Sequence, residues 1–419
     1  MLSLLRCRPA FRRLWLAGTV SLVGDWLGFV AVSLLALDKG GGAFALALVF
    51  AVHSLPHALF TPLAGVMADR LDRRRLLIVV PLVQAVLTVA MALAAGQGAL
   101  GLVQVLVLVR SAGTAFMVPA EMAALRYTVE PEELMRANAI LSGTWSVTFV
   151  VGMALGGALA VLGPVPALLV DASTFLLAAA LLRSLPVMRA VQDDASPVRA
   201  GVGELVAMIP RDLWKALVHA FARGSLFRSV FAKAPVGIAS GAGWVVLNLV
   251  AANEKPFGSG AISLGILQAV RGAGTGLGPY GVSLLPREGR AAKVVQHVAI
   301  AVAFTAISLV PIAQGAPLLL IAVMFMWGMG TGSNWVMSSA ALQQQAPDNM
   351  IGRLSSLDDL GATSAMVMGA LAGGALIEHG APMLAVAAGG SAVGLVGWLL
   401  LVRLSRREAR YGVTEPVAD

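Results

Sequence analysis

Three charges stand where so apolar a chain can least accommodate them. Asp25, Arg110 and Arg271 each interrupt a long hydrophobic run, as in "SLVGDWLGFV", "LVLVRSAGTA" and "LQAVRGAGTG". Asp25 lies about eleven residues into its run and Arg110 about ten, which puts both ~15–16 Å deep if the runs are helices. Groups of opposite charge at one depth can meet. A carboxylate that pairs with a guanidinium and releases it on protonation is a proton switch, and Asp25 with Arg110 is the candidate pair for proton coupling. The structural alternative is a permanent pair that only neutralises a buried charge. His53 and His57, at i and i+4, share one helix face and suit a proton relay or a metal, with Asp25 as the third ligand in reach. Cavity lining or helix–helix hydrogen bonding is the simpler role for them. Arg271 has no counter-ion visible in its half of the sequence, so an anionic ligand or an unseen pairing must answer it. Asp171 reads as a hydrogen-bonding group between helices, with a proton role secondary. Trp26, Phe29, His53, Trp244, Asn248, Gln268, Arg271, Asn334 and Trp335 are the substrate-lining candidates, being polar or aromatic at depths that suit a central cavity.

The elements that must position these groups follow from composition. The chain has 419 residues, 58% hydrophobic and 12% charged, with a mean hydropathy of +0.84. Soluble domains carry about a quarter charged residues. Apolar runs of spanning length recur at roughly 14–37, 43–68, 76–96, 99–121, 138–162, 165–183, 228–251, 258–285, 294–313, 315–340, 354–377 and 382–402. The fold class is therefore an all-α membrane protein of twelve transmembrane helices. The expected divisions are an N-terminal six-helix bundle over 1–184, a linker over 185–227, a second bundle over 228–404 and a tail over 405–419. The linker turns amphipathic in "VGELVAMIPRDLWKALVHAFARG", which predicts one or two short helices on the membrane face. Cys7 is the single cysteine, which excludes a disulfide framework and a cysteine metal site. The pI near 10.3 does not indicate nucleic acid, because the basic residues are scattered over many short loops. No nucleotide loop or metal-ligand cluster is legible, so no catalytic residue, metal or cofactor is expected and the chain does not read as an enzyme.

Charge also fixes orientation. With the N-terminus inside, every lysine and arginine falls in cytoplasmic segments except Lys39 and Lys255 outside and Arg110 and Arg271 within the membrane. Both termini are then cytoplasmic in a multi-pass protein of the cell's inner (plasma) membrane. "MLSLLRCRPAFRR" is too short and basic to hold a signal h-region and reads as a lead-in to the first helix. A repeat underlies the pattern. Arg136, Gly152, Gly156-Gly157 and Gly163 return as Arg353, Gly369, Gly373-Gly374 and Gly380, each 217 positions later. Six helices repeated after six give parallel halves related by an axis along the membrane normal.

Between the second and third runs lies "GVMADRLDRRRLL", in which Gly65, Asp69, Arg70, Arg73 and Arg74 fill the pattern G-x-x-x-D-R-x-x-R-R. This resembles the hallmark of the major facilitator superfamily. A degenerate second copy, "LLPREGRAAK", keeps Arg287 and Arg290 but has Pro286 in place of the aspartate. "FRRLWLAGTVSLVGDW", "FMVPAEMAALRYTVEPEELMRANAI" and "LGPVPALLVDASTFLLAAALL" are similar to the exporter branch that contains enterobactin and macrolide efflux proteins. The resemblance implies the major facilitator fold and a monomeric secondary transporter working by alternating access. It would export a small amphipathic compound (drug, macrolide or siderophore-like) in exchange for protons. Its partners would be that substrate, protons and the lipid bilayer, with no nucleic acid. A lysophospholipid or other lipid is the alternative substrate; a receptor or membrane enzyme is the alternative from another class, and no feature favours it. One departure weighs against antiport. Where that branch often has G-P-x-x-G-G in helix 5, this chain has Gly152-Met153-Ala154-Leu155-Gly156-Gly157. The hallmark residues imply a conformational latch, with Asp69 bonding the start of helix 11 or a nearby arginine when the protein faces outward.

Overall fold

The computed structural model describes residues 2–39, 41–70, 72–125, 127–185, 202–284, 289–347 and 350–411. Among these, twelve long helices carry the structure. They are α1 (Pro9–Asp38), α2 (Gly42–Arg70), α3 (Arg73–Gly96), α4 (Leu100–Leu125), α5 (Leu134–Ala160), α6 (Pro164–Leu182), α7 (Ala234–Glu254), α8 (Gly260–Ser283), α9 (Gly289–Ala313), α10 (Pro317–Gln345), α11 (Ile351–Glu378) and α12 (Met383–Tyr411). Eleven helices among the described residues are long and apolar enough to cross a membrane; α8, rich in glycine and carrying Arg271, is left outside that set. Yet α8 packs between α5 and α10 inside the bundle, in the place of a spanning helix.

Local sequence explains where the helices begin and turn. Proline occupies the first turn of α1, α6, α7 and α10, where its missing N–H costs nothing. At the end of the bundle away from the termini, the connections are a few residues long, and Gly98, Gly163, Gly258 and Gly380 take positive φ there. The run expected over 228–251 is broken. A short helix, Gly224–Phe231, ends before Lys233, and α7 restarts with Pro235 in its first turn.

The glycine repeat has a direct packing reason. In α5, Gly152 and Gly156 lie on Trp26, Val23 and Val30 of α1, so these belong to the packing within the first half. Gly157 faces the other way, with a would-be Cβ 2.8 Å from the backbone of Gly265 in α8. The second copy behaves alike. Gly369 and Gly373 lie on α7, and Gly374 meets Ala43 and Ala47 of α2. In each half, one glycine of the doublet seats the helix at home and the next lets it approach the opposite half. The halves therefore meet through α5 against α8 and α2 against α11. Side-chain hydrogen bonds add specificity, as from Trp15 Nε1 in α1 to Thr144 Oγ1 in α5 at 2.8 Å and from Gln84 Nε2 in α3 to Thr114 Oγ1 in α4 at 2.9 Å.

The linker residues that are described form Val202–Ala222 and Gly224–Phe231. Ala216 and Ala220 pack with Leu226 and Val230 on Leu342 of α10 and Leu354 and Leu357 of α11. Arg353 at the start of α11 pairs with linker Asp212 at 3.4 Å. The linker is thus docked on the second half. Trp214, Val218 and Phe221, spaced to share the opposite face, are exposed as an apolar stripe suited to a bilayer surface.

At the turn end the halves touch. Glu378, the last residue of α11, accepts the backbone N–H of Phe44 in the first turn of α2 at 3.1 Å, next to the Gly374–Ala43 approach. A carboxylate there also complements the positive end of the α2 dipole. Because Glu378 is exposed, we expect about 1 kcal/mol from this contact, and Glu378→Ala should raise the open population at this end about fivefold. Spin labels at Gln97 and Ala381 in a Cys7→Ser background would show this as a longer-distance component; an unchanged distribution would remove the latch role from Glu378.

Candidate functional site

Four helices of the first half converge on Arg110. Its Nη2 donates to Asp25 Oδ1 of α1 at 2.7 Å and its Nη1 to Asp171 Oδ2 of α6 at 2.6 Å, with Thr88 Oγ1 of α3 at 3.4 Å. The Phe175 ring lies 5.6 Å from the guanidinium carbon. Asp25 and Arg110 are thus in contact, and Asp171 completes a triad as a second acid partner for the arginine. Two carboxylates on one guanidinium leave the cluster a net charge of about −1 when all are ionised. The two acids are not alike. The Asp171 side chain is 0% exposed and that of Asp25 is 19% exposed. One is sealed in the bundle and the other is part-exposed.

Sequence spacing explains how Asp171 reaches its place. Gly24 and Gly28, one turn apart on α1, both lie against its carboxylate; a Cβ at Gly24 would sit 2.8 Å from Asp171 Oδ1, and one at Gly28 would overlap Oδ2. The stretch "GDWLG" therefore presents Asp25 to Arg110 and clears room for Asp171. Asp171 Oδ1 is buried with no hydrogen-bond partner among the described residues.

Beside the triad runs an aromatic array. His53 Nε2 lies 3.9 Å from Asp25 Oδ2, too long for a hydrogen bond but within ion-pair range. Its ring is 4.6 Å from Phe29 and 6.0 Å from Trp26. Trp244 of α7 packs on Phe29 at 5.5 Å and Phe50 at 4.9 Å, and so joins the halves. Trp26 continues to Phe149 at 4.8 Å and Trp145 at 5.9 Å. From Phe149 the array reaches Arg271, whose guanidinium lies between that ring at 5.3 Å and Trp327 at 5.2 Å while its Nε donates to Gln268 Oε1 at 2.9 Å. Trp26 Nε1, His53 Nδ1, His57 Nδ1 and Asn248 Oδ1 are buried without partners among the described residues.

The remaining candidates lie elsewhere. Asn334 donates to the Ala232 carbonyl at 3.2 Å and accepts from Gln296 Nε2 at 3.2 Å, which places it near the start of α7. Trp335 sits over Lys233, 4.5 Å from its Nζ. Since Trp244 is about eleven residues further on, both are ~16–18 Å from the array along α7. Asp358 lies two turns inside α11, which begins at Ile351, and so does not serve the start of that helix. It accepts instead from Lys233 Nζ at 2.5 Å, a buried pair. In sequence Lys233 reads as one more cytoplasmic cation, near the start of the seventh run. Of the hallmark residues, the side chains of Gly65, Asp69, Arg70 and Arg73 lie outside the described residues. Arg74 donates to the Arg183 carbonyl at the end of α6 at 2.5 Å.

Sequence reasoning missed Phe50, Trp145, Phe149, Phe175 and Trp327. Trp145, Phe149, Gly152 and Gly156 share one face of α5, and the two glycines that bind this face to α1 were the available signal.

Two six-helix halves meeting over a central polar and aromatic layer are an architecture that membrane transporters use. The chain belongs to the Major Facilitator Superfamily, whose family model matches residues 14–370. It is 28% identical over 151 residues to macrolide efflux protein A of Streptococcus pyogenes, covering 36% of this chain and 37% of that protein. To the uncharacterized MFS-type transporter YkuC of Bacillus subtilis (strain 168) it is 28% identical over 176 residues, 42% and 41% of the two chains. The matches thus span about two fifths of these curated relatives. Among solved structures, the nucleoside transporter NupG superposes with a TM-score of 0.71 at 13% identity, over 94% of this chain and 98% of that one. A bacterial homologue of the iron transporter ferroportin, in an inward-facing state, gives 0.67 at 17% identity, over 95% and 98%. These likenesses establish the fold.

Removing one partner of a fully buried pair costs about 3–5 kcal/mol, and the cost falls as solvent reaches the group removed. Asp171→Asn should therefore lower the unfolding temperature in detergent clearly more than Asp25→Asn. Equal losses would mean that the two acids hold Arg110 equivalently.

Proposed function

We propose that this protein is a secondary transporter that exports a small amphipathic compound across the inner membrane by alternating access, coupled to protons. Contact of the halves at the turn end, through Glu378 and the Gly157 and Gly374 approaches, supports reading this conformation as cytoplasm-facing. The observation that carries the coupling is the Asp25–Arg110–Asp171 triad. Asp171, sealed and held on Gly24 and Gly28, keeps Arg110 in place in either protonation state of its neighbour. Asp25, the part-exposed acid beside His53, is the one that protons reach. Protonation weakens its pair with Arg110 and takes the cluster from a net charge of about −1 to about 0. That change in a poorly solvated layer biases the packing of α1 and α4, which is how a proton shifts the equilibrium between states. The reading of export rests on the partial likeness to a macrolide efflux protein. Trp26, Phe29, His53, Trp244, Asn248, Gln268 and Arg271 line the substrate's place, with Asn334 and Trp335 further along the path toward the linker. Gly65, Asp69, Arg70, Arg73 and Arg74 form the cytoplasmic latch of the outward-facing state, and the working unit is a monomer.

Flux in proteoliposomes under an imposed pH gradient tests the coupling. Asp25→Asn should abolish gradient-driven flux while substrate binding persists; coupled flux that survives the substitution would move the proton site elsewhere. Orientation is tested separately in a Cys7→Ser background. A cysteine in place of Lys255 should be labelled from outside the cell by an impermeant maleimide, whereas labelling from the cytoplasmic side alone would invert the topology.

A further inference from the structure

We propose that Arg271 is the anion-recognition group of a substrate site that takes a flat, amphipathic carboxylic or sulfonic acid. The inference rests on the transporter reading above. The buried cations Arg110 and Lys233 are both answered: Arg110 holds two carboxylates and Lys233 holds one. Arg271 has none among the described residues, only the neutral oxygen of Gln268 and two ring faces. It lies about 16 Å along α8 from the turn end, as deep as Arg110 in α4. An arginine at such depth is costly unless something compensates its charge. Phe149 and Trp327 offset part of this by cation–π attraction.

The way the guanidinium is held also selects the ligand's shape. Gln268 takes Nε and so fixes one edge of the fork. Neither Nη has a hydrogen-bond partner among the described residues, and the residue remains part-exposed. Two parallel N–H groups on one planar fork match the oxygens of a carboxylate or sulfonate. The rings flanking the fork continue into Trp26 and Trp145, a surface for a flat apolar body. At the other end of the aromatic array stands the triad, whose net charge is negative with both acids ionised, so an acid head is steered away from it and onto Arg271. A cationic amine meets the reverse field at Arg271.

The site is also tied to the transport cycle. Gln268, Arg271 and Trp327 belong to the second half, whereas Phe149 belongs to α5 of the first. Separation of the halves withdraws Phe149 from the guanidinium and leaves a ring-sized place beside it. The aromatic body of a ligand fills that place, so an occupied site and an unoccupied one favour different separations.

The test uses the full chain in lipid nanodiscs with three probes of one shape: 2-naphthoate, 2-naphthamide and 2-naphthylmethylamine. Binding is read by quenching of tryptophan fluorescence, and uptake of the same probes into proteoliposomes is measured in parallel. 2-Naphthoate should bind at least about tenfold more tightly than the amide or the amine, the margin expected of a charge-assisted bidentate contact. Arg271→Gln should remove that margin by weakening the acid alone, while Arg271→Lys, which keeps the charge without the fork, should retain part of it. Equal affinities in the unmodified protein, a margin that survives Arg271→Gln, or no binding of any probe up to millimolar concentration would each overturn the proposal. Acid-selective binding without flux supports the anion site and removes the transport reading. Flux of the amide or amine without acid preference removes the anion site and supports transport.

Discussion

A guanidinium in the middle of an apolar bundle has to be answered by charge, and the first half is built around that demand. Arg110 on α4 draws Asp25 from α1 and Asp171 from α6 to one point. For Asp171 to arrive there, α1 must give up side chains at Gly24 and Gly28. The same helix must then seat on α5, which it does where Gly152 and Gly156 open a groove for Trp26 and Val30. Removing the arginine would leave two acids in apolar surroundings with no reason for the glycines beneath them. In this sense the order of the packing runs outward from one ion cluster.

The second half answers a similar demand differently. Arg271 has no carboxylate partner among the described residues, and aromatic faces take that place. The strong ion pair of this half lies between Lys233 and Asp358, about 16–18 Å from Trp244 along α7. That pair holds the start of α7 to α11, next to the docked linker. The repeat is therefore close in backbone packing and divergent in charge. Gly157 and Gly374 do the same work in both halves, while the ionisable groups have been distributed for different tasks.

Much of this was legible in the sequence because membrane burial punishes error so heavily. Run lengths locate the helices, and the constant offset between glycine doublets reveals the two-half plan. Asp25 and Arg110 can be paired on paper because each lies equally far from the end of its run. Asp171 cannot, since it enters α6 only seven residues from the turn end, ~10 Å along the axis against ~15 Å for Arg110. The long arginine side chain spans that difference, and depth counted by residues ignores it. The rings of Trp145 and Phe149 are hidden for another reason: an aromatic at helical spacing in a membrane helix more often meets lipid. Asn334 and Trp335 have suitable chemistry, but a residue's level on one helix says nothing of which neighbour it faces. The buried pairing of Lys233 is hidden because the break before α7 leaves no strong mark beyond Pro235, and the lysine reads as a topological charge.

The opposed charges gathered in this layer have a consequence for how the protein feels the membrane potential. A charge that moves across the full field exchanges ~2.3 kcal/mol per 100 mV. With Asp25 and Asp171 ionised, their two negative charges balance Arg110 and Arg271 in this layer. On the transporter reading, the unloaded protein then carries no net charge at this level when it reorients, and the resting potential neither helps nor hinders that step through these four groups. Once a proton or a charged ligand enters, the balance is broken, and voltage acts on the loaded form alone. Electrical work would thus be directed to the steps that carry cargo.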